Sequence, residues 1–81
     1  MSTAESIEGF MVEELAAAEA GAGIDHDEDL LAAELIDSLG IQELVKFLER
    51  TYAIQVQDDD LVAENFQTIN AIAGFVEAKR G

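Results

Sequence analysis

Few side chains in this 81-residue sequence are equipped for covalent or acid–base chemistry. There is no cysteine, so the chain brings no thiolate nucleophile, no thiolate metal ligand and no disulfide. The single histidine, His26, lies in the acidic run "IDHDEDLL". A nucleophilic serine needs a base within hydrogen-bond reach, usually a histidine. His26 falls in a different loop from the serine of interest, and no G-x-S-x-G elbow is present. Carboxylates are plentiful, but a domain this small encloses a substrate poorly. Catalysis by the chain itself is not expected. Asp25, Asp27 and Asp29 have the first three ligand spacings of a calcium loop. Leu30, however, stands where that loop needs glycine, and Ile36 where it needs a bidentate glutamate. No metal site is expected, and His26 reads as an exposed histidine among carboxylates.

The remaining candidate is Ser38, in "ELIDSLGIQEL". It stands where a helix should begin, and both Asp37 and Ser38 are residue types that satisfy the free amides of a first turn. One reading makes the serine a cap. The other notes that Asp37 can cap alone, which leaves the hydroxyl free. Leu39 and Gly40 then set an apolar side chain and bare backbone beside that hydroxyl, a surface shaped for contact with another protein. Local physics leaves both readings open.

The elements that would position Ser38 follow from apolar spacing. A first helix is expected over residues 3–20, with Ile7, Phe10, Met11, Leu15 and Ala18 on one stripe. Ser2 or Thr3 would cap it and the glycines of "AGAG" would end it. A long acidic loop follows. The second helix should start at Asp37 or Ser38 and run to about Arg50, with Ile41, Leu44, Val45, Leu48 and Tyr52 on one side. Gln42, Glu43, Lys46, Glu49 and Arg50 fall on the other, and Leu39 projects with them. "AIQVQDDD" reads as an extended link and a turn. "DLVAENF" can make only a turn or two of helix, with Asp58 to Asp60 favourable near its start. Thr68 should cap a last helix that turns Ile69, Ile72, Ala73 and Val76 inward and carries Lys79 and Arg80 in its last turn. The expected fold is all-α, a small four-helix bundle of three main helices and one short one, in a single domain over residues 1–81.

Charge narrows the possible partners. Eighteen acidic residues against four basic ones give a formal net charge of -14. Such a surface repels nucleic acid and anionic membranes and attracts basic protein surfaces. No apolar run is long enough to span a membrane, and "MSTAESIEGF" lacks the features of a secretory signal. A soluble, cytoplasmic protein is the expectation.

The "DSLG" box at the head of a helix resembles the phosphopantetheine attachment motif of acyl and peptidyl carrier proteins. The likeness extends through "DEDLLAAELIDSLGIQELVKFLERTYAIQVQDDDLVAENFQTINAIAGFV". That stretch keeps the family's order of loop, D-S-L, a helix containing E-L-V, an acidic turn, a short helix and a threonine-led last helix. With the first helix added, the likeness covers nearly the whole chain. It implies that a phosphopantetheinyl transferase uses coenzyme A to esterify Ser38 to a 4'-phosphopantetheine arm, whose terminal thiol carries cargo as a thioester. On the same likeness Asp37 is the acidic residue beside the attachment point and Leu39 a partner contact. The missing cysteine then makes physical sense, because the working thiol arrives with the cofactor.

The likeness also implies that partners read the outward side of the second helix, which makes Leu39, Gln42, Glu43, Lys46 and Glu49 candidate contacts. Carriers of general fatty-acid synthesis tend to present a strongly acidic second helix. Here Gln42, Lys46 and Arg50 stand among Glu43 and Glu49, glycine follows D-S-L, and Phe47 is bulky at a position often small. These departures suit a discrete, monomeric carrier of a dedicated pathway, loaded by its own ligase, adenylating enzyme or synthase with an acyl or aminoacyl group. Phe10, Leu15, Ile41, Leu44, Leu48, Ile54 and Ile72 should line the bundle interior, either as plain core or as a slot for an acyl chain. A second reading stays open: a small acidic adaptor or inhibitor of a basic protein, with Ser38 only a helix cap.

Overall fold

In a computed structural model the chain is described over residues 2–15 and 23–80, and within these it forms helices and no strands. Helix α1 spans Thr3–Glu13. Its start is a reciprocal cap: Ser2 Oγ accepts the Glu5 amide and Glu5 Oε1 accepts the Ser2 amide, both at 3.1 Å. The helix closes at Glu13 with Glu14 as its cap, and most of the expected stretch to residue 20 falls outside the described residues. No basic residue occupies its last turn, and Glu13 and Glu14 set negative charge where the terminal carbonyls already point. Residues 16–22, with the alanines and most of the "AGAG" turn, lie outside the described part.

Helix α2, Ser38–Tyr52, begins and ends close to expectation. It closes on Ala53, which takes the left-handed conformation usually given to glycine (φ 54°). Glu49 Oε2 accepts the Val56 amide at 2.9 Å and fastens the returning chain to the helix it has just left. Asp58–Asp60 form a separate 3-10 turn, ahead of the short helix α3, Ala63–Phe66. Helix α4, Ile69–Arg80, opens on Thr68, whose Oγ1 accepts the Ala71 amide at 2.9 Å.

The core is one cluster drawn from all four α-helices and the long connection. Ile7 and Met11 come from α1, Leu44 and Leu48 from α2, Phe66 from α3, and Ile69, Ile72 and Val76 from α4. The long connection adds Ile24, Leu30 and Ile36. Each large side chain buried in this way contributes about 1.5–3 kcal/mol. Leu30 and Ile36, the two residues that break the calcium-loop pattern, are therefore core residues. α1 packs chiefly on α4, α3 also rests on α4, and α2 is held against both α1 and α4.

The acidic connection is tied down by its own carboxylates. Asp25 Oδ1 accepts the Asp27 amide at 2.8 Å, and Asp27 Oδ1 accepts Asn70 Nδ2 at 2.7 Å. Asp29 uses one oxygen for the Leu31 and Ala32 amides and the other for Gln67 Nε2. His26 differs from the sequence reading. It is half-buried, its Nε2 donates to Glu8 Oε1 at 2.6 Å, and its carbonyl accepts the Asn70 amide at 3.0 Å. Glu8 Oε2 takes the Ile24 amide at 3.0 Å. Gly23 allows this close approach, since a Cβ there would fall 2.9 Å from Glu8 Oε2. Glu8 thus clamps the connection to α1, and Asn70 and Gln67 clamp it near the start of α4. The segment that delivers Ser38 is held from two sides.

Candidate functional site at the head of the second helix

The local question about Ser38 has a geometric answer. Asp37, in extended backbone, is the cap of α2, and its Oδ1 accepts the Gly40 amide at 2.8 Å. Ser38 is the first helical residue, and its side chain is exposed. No hydrogen bond among the described residues uses its hydroxyl, so that group is free for other chemistry. The amides that open any helix lack intrahelical acceptors, and their positive end favours an anionic group placed there.

Gly40 has a packing reason. A Cβ at this position would meet Ile36 Cγ1 at 3.0 Å and Asp37 Oδ1 at 3.3 Å. Its absence lets buried Ile36 close over the first turn and lets Asp37 reach the amide it caps. Glycine after D-S-L is thus part of how this chain holds its serine.

Leu39, beside the serine, is 65% exposed, the most exposed of the large apolar side chains among the described residues. Gln42, Glu43 and Lys46 are exposed along the same helix. Glu49 is half-buried and occupied by the Val56 amide, which distinguishes it from the other residues of that face. The residues expected inside divide into two groups. Leu44, Leu48 and Ile72 are fully buried, whereas Phe10, Leu15, Ile41 and Ile54 are half-buried against the core.

Two concavities flank α2. The smaller, about 130 Å³, is lined by Leu31, Ile41, Leu61, Val62, Ala63 and Phe66. The larger is an open cleft of about 810 Å³ between the end of α1, the chain before α2, and α2 itself. Asp37, Leu39 and Gly40 line it at the head of α2, and Phe10, Leu15 and Phe47 supply apolar wall. Phe10 and Phe47 stack with centroids 4.3 Å apart and planes 20° apart, and Tyr52 meets Phe47 edge-on at 6.4 Å. The bulk of Phe47 is therefore matched by an aromatic partner on α1. Sequence reading singled out both phenylalanines, one as interior and one as an oddity, but not their contact. Their separation of 37 residues leaves no local signal. The same holds for Glu8 and His26, although an acidic stripe on α1 and one histidine in the next loop made the pair available.

Such a bundle, with a free hydroxyl at a helix head, suits a protein that other proteins modify. Comparison with known proteins agrees. Residues 11–76 match the family model described as "Phosphopantetheine attachment site". The chain is 31% identical over 83 aligned positions to an acyl carrier protein of Solidesulfovibrio magneticus, covering 100% of this chain and 99% of the relative. It is 34% identical over 82 aligned positions to an acyl carrier protein of Helicobacter hepaticus, covering 99% of this chain and 100% of the relative. The chain belongs to the phosphopantetheine-binding carrier family. Membership brings covalently attached 4'-phosphopantetheine as cofactor, and a role as carrier in company with a phosphopantetheinyl transferase and acyl-handling enzymes. Among the described residues no helix is long and apolar enough to cross a membrane.

Proposed function

We propose that Ser38 is the residue that receives the phosphopantetheine arm, in a single carrier domain over residues 1–81 that moves a thioester-bound acyl or aminoacyl group between enzymes of a dedicated biosynthetic pathway. The observation that carries this reading is the division of labour at the helix head. Asp37 accepts the Gly40 amide, while the neighbouring Ser38 hydroxyl is exposed and unengaged among the described residues.

The residues present fit the group. In the transfer, Ser38 Oγ forms a new bond to phosphorus as the pyrophosphate link of coenzyme A breaks. Adenosine 3',5'-bisphosphate leaves, and the serine proton passes to a base on the transferase. A phosphodiester on Ser38 would be anionic and would stand at the positive end of α2, where the first-turn amides favour negative charge. Once attached, the cofactor supplies a terminal thiol that holds cargo as a thioester. A tether of this kind raises the effective concentration of cargo at any enzyme the carrier docks.

Leu39 then serves as an apolar anchor for partners, with Gln42, Glu43 and Lys46 around it and Glu49 at the edge of the same face. A surface with net charge -14 steers basic partners into fast, reversible encounters. In this reading the carrier works as a monomer in the cytoplasm, loaded by its own ligase, adenylating enzyme or synthase. The test is to isolate the protein from its own cell and treat it with neutral hydroxylamine. A hydroxamate released from wild-type protein, and absent from Ser38→Ala, supports the carrier reading and identifies the cargo by mass. Protein that bears no modification at Ser38 contradicts it.

A further inference from the structure

The chain's four basic side chains are not used alike. Lys79 Nζ pairs with Asp60 Oδ2 at 2.7 Å. Arg80 approaches Glu77 Oε1 at 3.6 Å and lies 5.6 Å from the centre of the Tyr52 ring. Lys46 and Arg50 have no carboxylate at ion-pair distance among the described residues. Both are exposed, both line the 810 Å³ cleft, and they stand one helical turn apart on α2. Two cations with no ion-pair partner among the described residues, beside one concavity, are unexpected in a chain with eighteen acidic residues.

The cleft is also graded along its length. At 1.5 Å rise per residue, Lys46 and Arg50 lie about 12 Å and about 18 Å along α2 from Ser38. Asp37 and Glu43 line the cleft on the Ser38 side of them, and Glu14 and Glu34 contribute further negative charge from outside α2. The sign of the α2 wall thus reverses with distance from the serine. Screening confines each exposed charge to roughly 8–10 Å, so a carboxylate lying in the cleft beside Asp37 and Glu43 is repelled, whereas one carried past Glu43 meets Lys46 and Arg50. At the level of Lys46 and Arg50 along α2, the stacked Phe10 and Phe47 offer an apolar surface. A cleft of this volume is of the size that holds small molecules.

We propose that this cleft receives the carrier's own cargo, and that the cargo it suits is an acyl group of medium length ending in a free carboxylate. The methylene chain rests on Phe10 and Phe47, and the carboxylate lies between Lys46 and Arg50. This rests on attachment at Ser38, since the cleft opens at that helix head. It makes Lys46 and Arg50 determinants of cargo preference. The cleft is open, so a docking enzyme can withdraw the cargo without unfolding the bundle.

The test loads the full-length chain from coenzyme A thioesters with a broad-specificity phosphopantetheinyl transferase, using adipyl, hexanoyl and 6-aminohexanoyl groups. These are similar in length and differ in terminal charge, and intact mass verifies each loading. The parallel variant is Lys46→Gln/Arg50→Gln, whose two exposed sites leave the core untouched; its amide spectrum checks the fold. The expected result is that adipyl shifts the NMR resonances of Phe10, Phe47, Lys46 and Arg50. Its thioester should hydrolyse about two- to fivefold more slowly on wild-type protein than on the variant, the scale that exposed ion pairs support. Hexanoyl and 6-aminohexanoyl should show no such difference. Equal behaviour of all three groups overturns the proposal, as does protection of 6-aminohexanoyl. So do shifts confined to Leu31, Ile41, Leu61 and Phe66 around the smaller cavity. Failure of wild-type protein to accept any group, while a known carrier is loaded, overturns the attachment at Ser38 and this inference with it.

Discussion

Asp37 Oδ1 accepts the amide of Gly40 at 2.8 Å across the first turn of α2, and Ser38 stands between them with its hydroxyl free among the described residues. Capping and modification are thereby assigned to adjacent residues. The expected consequence is an asymmetry in stability. Asp37→Ala should destabilise the domain by about 1 kcal/mol, within the range for loss of a cap. Ser38→Ala should change it by no more than about 0.5 kcal/mol, since alanine is the better helix former and no cap is lost. Urea denaturation of both variants measures this. A cost at Ser38 equal to that at Asp37 would make the serine a cap after all.

The stack of Phe10 on Phe47 joins α1 to the face of α2 that carries the cleft. A double-mutant cycle with Phe10→Leu and Phe47→Leu should give a coupling of about 0.5–1.5 kcal/mol, the value typical of aromatic pairs beyond their burial. Additive effects would mean that the two rings merely sit near one another.

These features differ in how far they could be read from sequence. The starts of α2 and α4 were legible because Asp37 and Thr68 cap within three residues of themselves, to Gly40 and Ala71. Leu39 was legible as exposed because it breaks the stripe formed by Ile41, Leu44 and Leu48. The close of α1 at Glu13 was not, because spacing does not weigh the charges of Glu13 and Glu14 against the carbonyls at that helix end. The long connection read as a solvated acidic loop, yet Asp27 and Asp29 bond to Asn70 and Gln67 about forty residues away. Contacts at that separation leave no periodic trace. Only the buried Leu30 and Ile36, standing where a calcium loop tolerates neither, hinted that the segment belongs to the core.

Acid should loosen that connection in a defined direction. The His26 hydrogen bond, followed by the Ile24 amide, holds the Glu8 carboxyl below its ordinary value of 4.5. The Ala32 amide and the Gln67 side chain lower Asp29 below 3.8, and Lys79 with the Gln57 amide does the same for Asp60. For a folded-state value below the unfolded one, the unfolded chain binds more protons in the interval between them, so stability rises with pH there. This contribution is fully present above the unfolded values and is lost as pH falls through the lower folded ones. Urea melts at fixed ionic strength should therefore lose stability below about pH 4, within the general range of acid denaturation. Glu8→Gln should shallow the decline. An identical acid slope in the variant would remove Glu8 from this role.

At neutral pH the opposite sign of effect is expected from salt. Eighteen carboxylates against four bases repel one another, and screening relieves that repulsion. The Tm at pH 7 should rise between 10 mM and 300 mM sodium chloride, scanned by circular dichroism. A falling Tm would show that the ion pair of Lys79 with Asp60 and other attractive charge contacts outweigh the repulsion.

Ala53 closes α2 with φ 54°, in the region where a Cβ costs roughly 1–2 kcal/mol. Ala53→Gly should raise stability by about 0.5–1 kcal/mol, less than the full relief because glycine also loosens the unfolded chain. The position is exposed and distant in sequence from the serine, so phosphopantetheinylation should proceed at the wild-type rate. A destabilised variant would place some unrecognised contact on the alanine methyl group.

The most direct measurement is intact mass before and after incubation with coenzyme A and a broad-specificity phosphopantetheinyl transferase, for wild-type chain and Ser38→Ala side by side. Attachment at Ser38 requires the wild type to gain one phosphopantetheinyl group and the variant to gain none. A wild type left unchanged under conditions that modify a known carrier, or a variant modified as readily as the wild type, would contradict it.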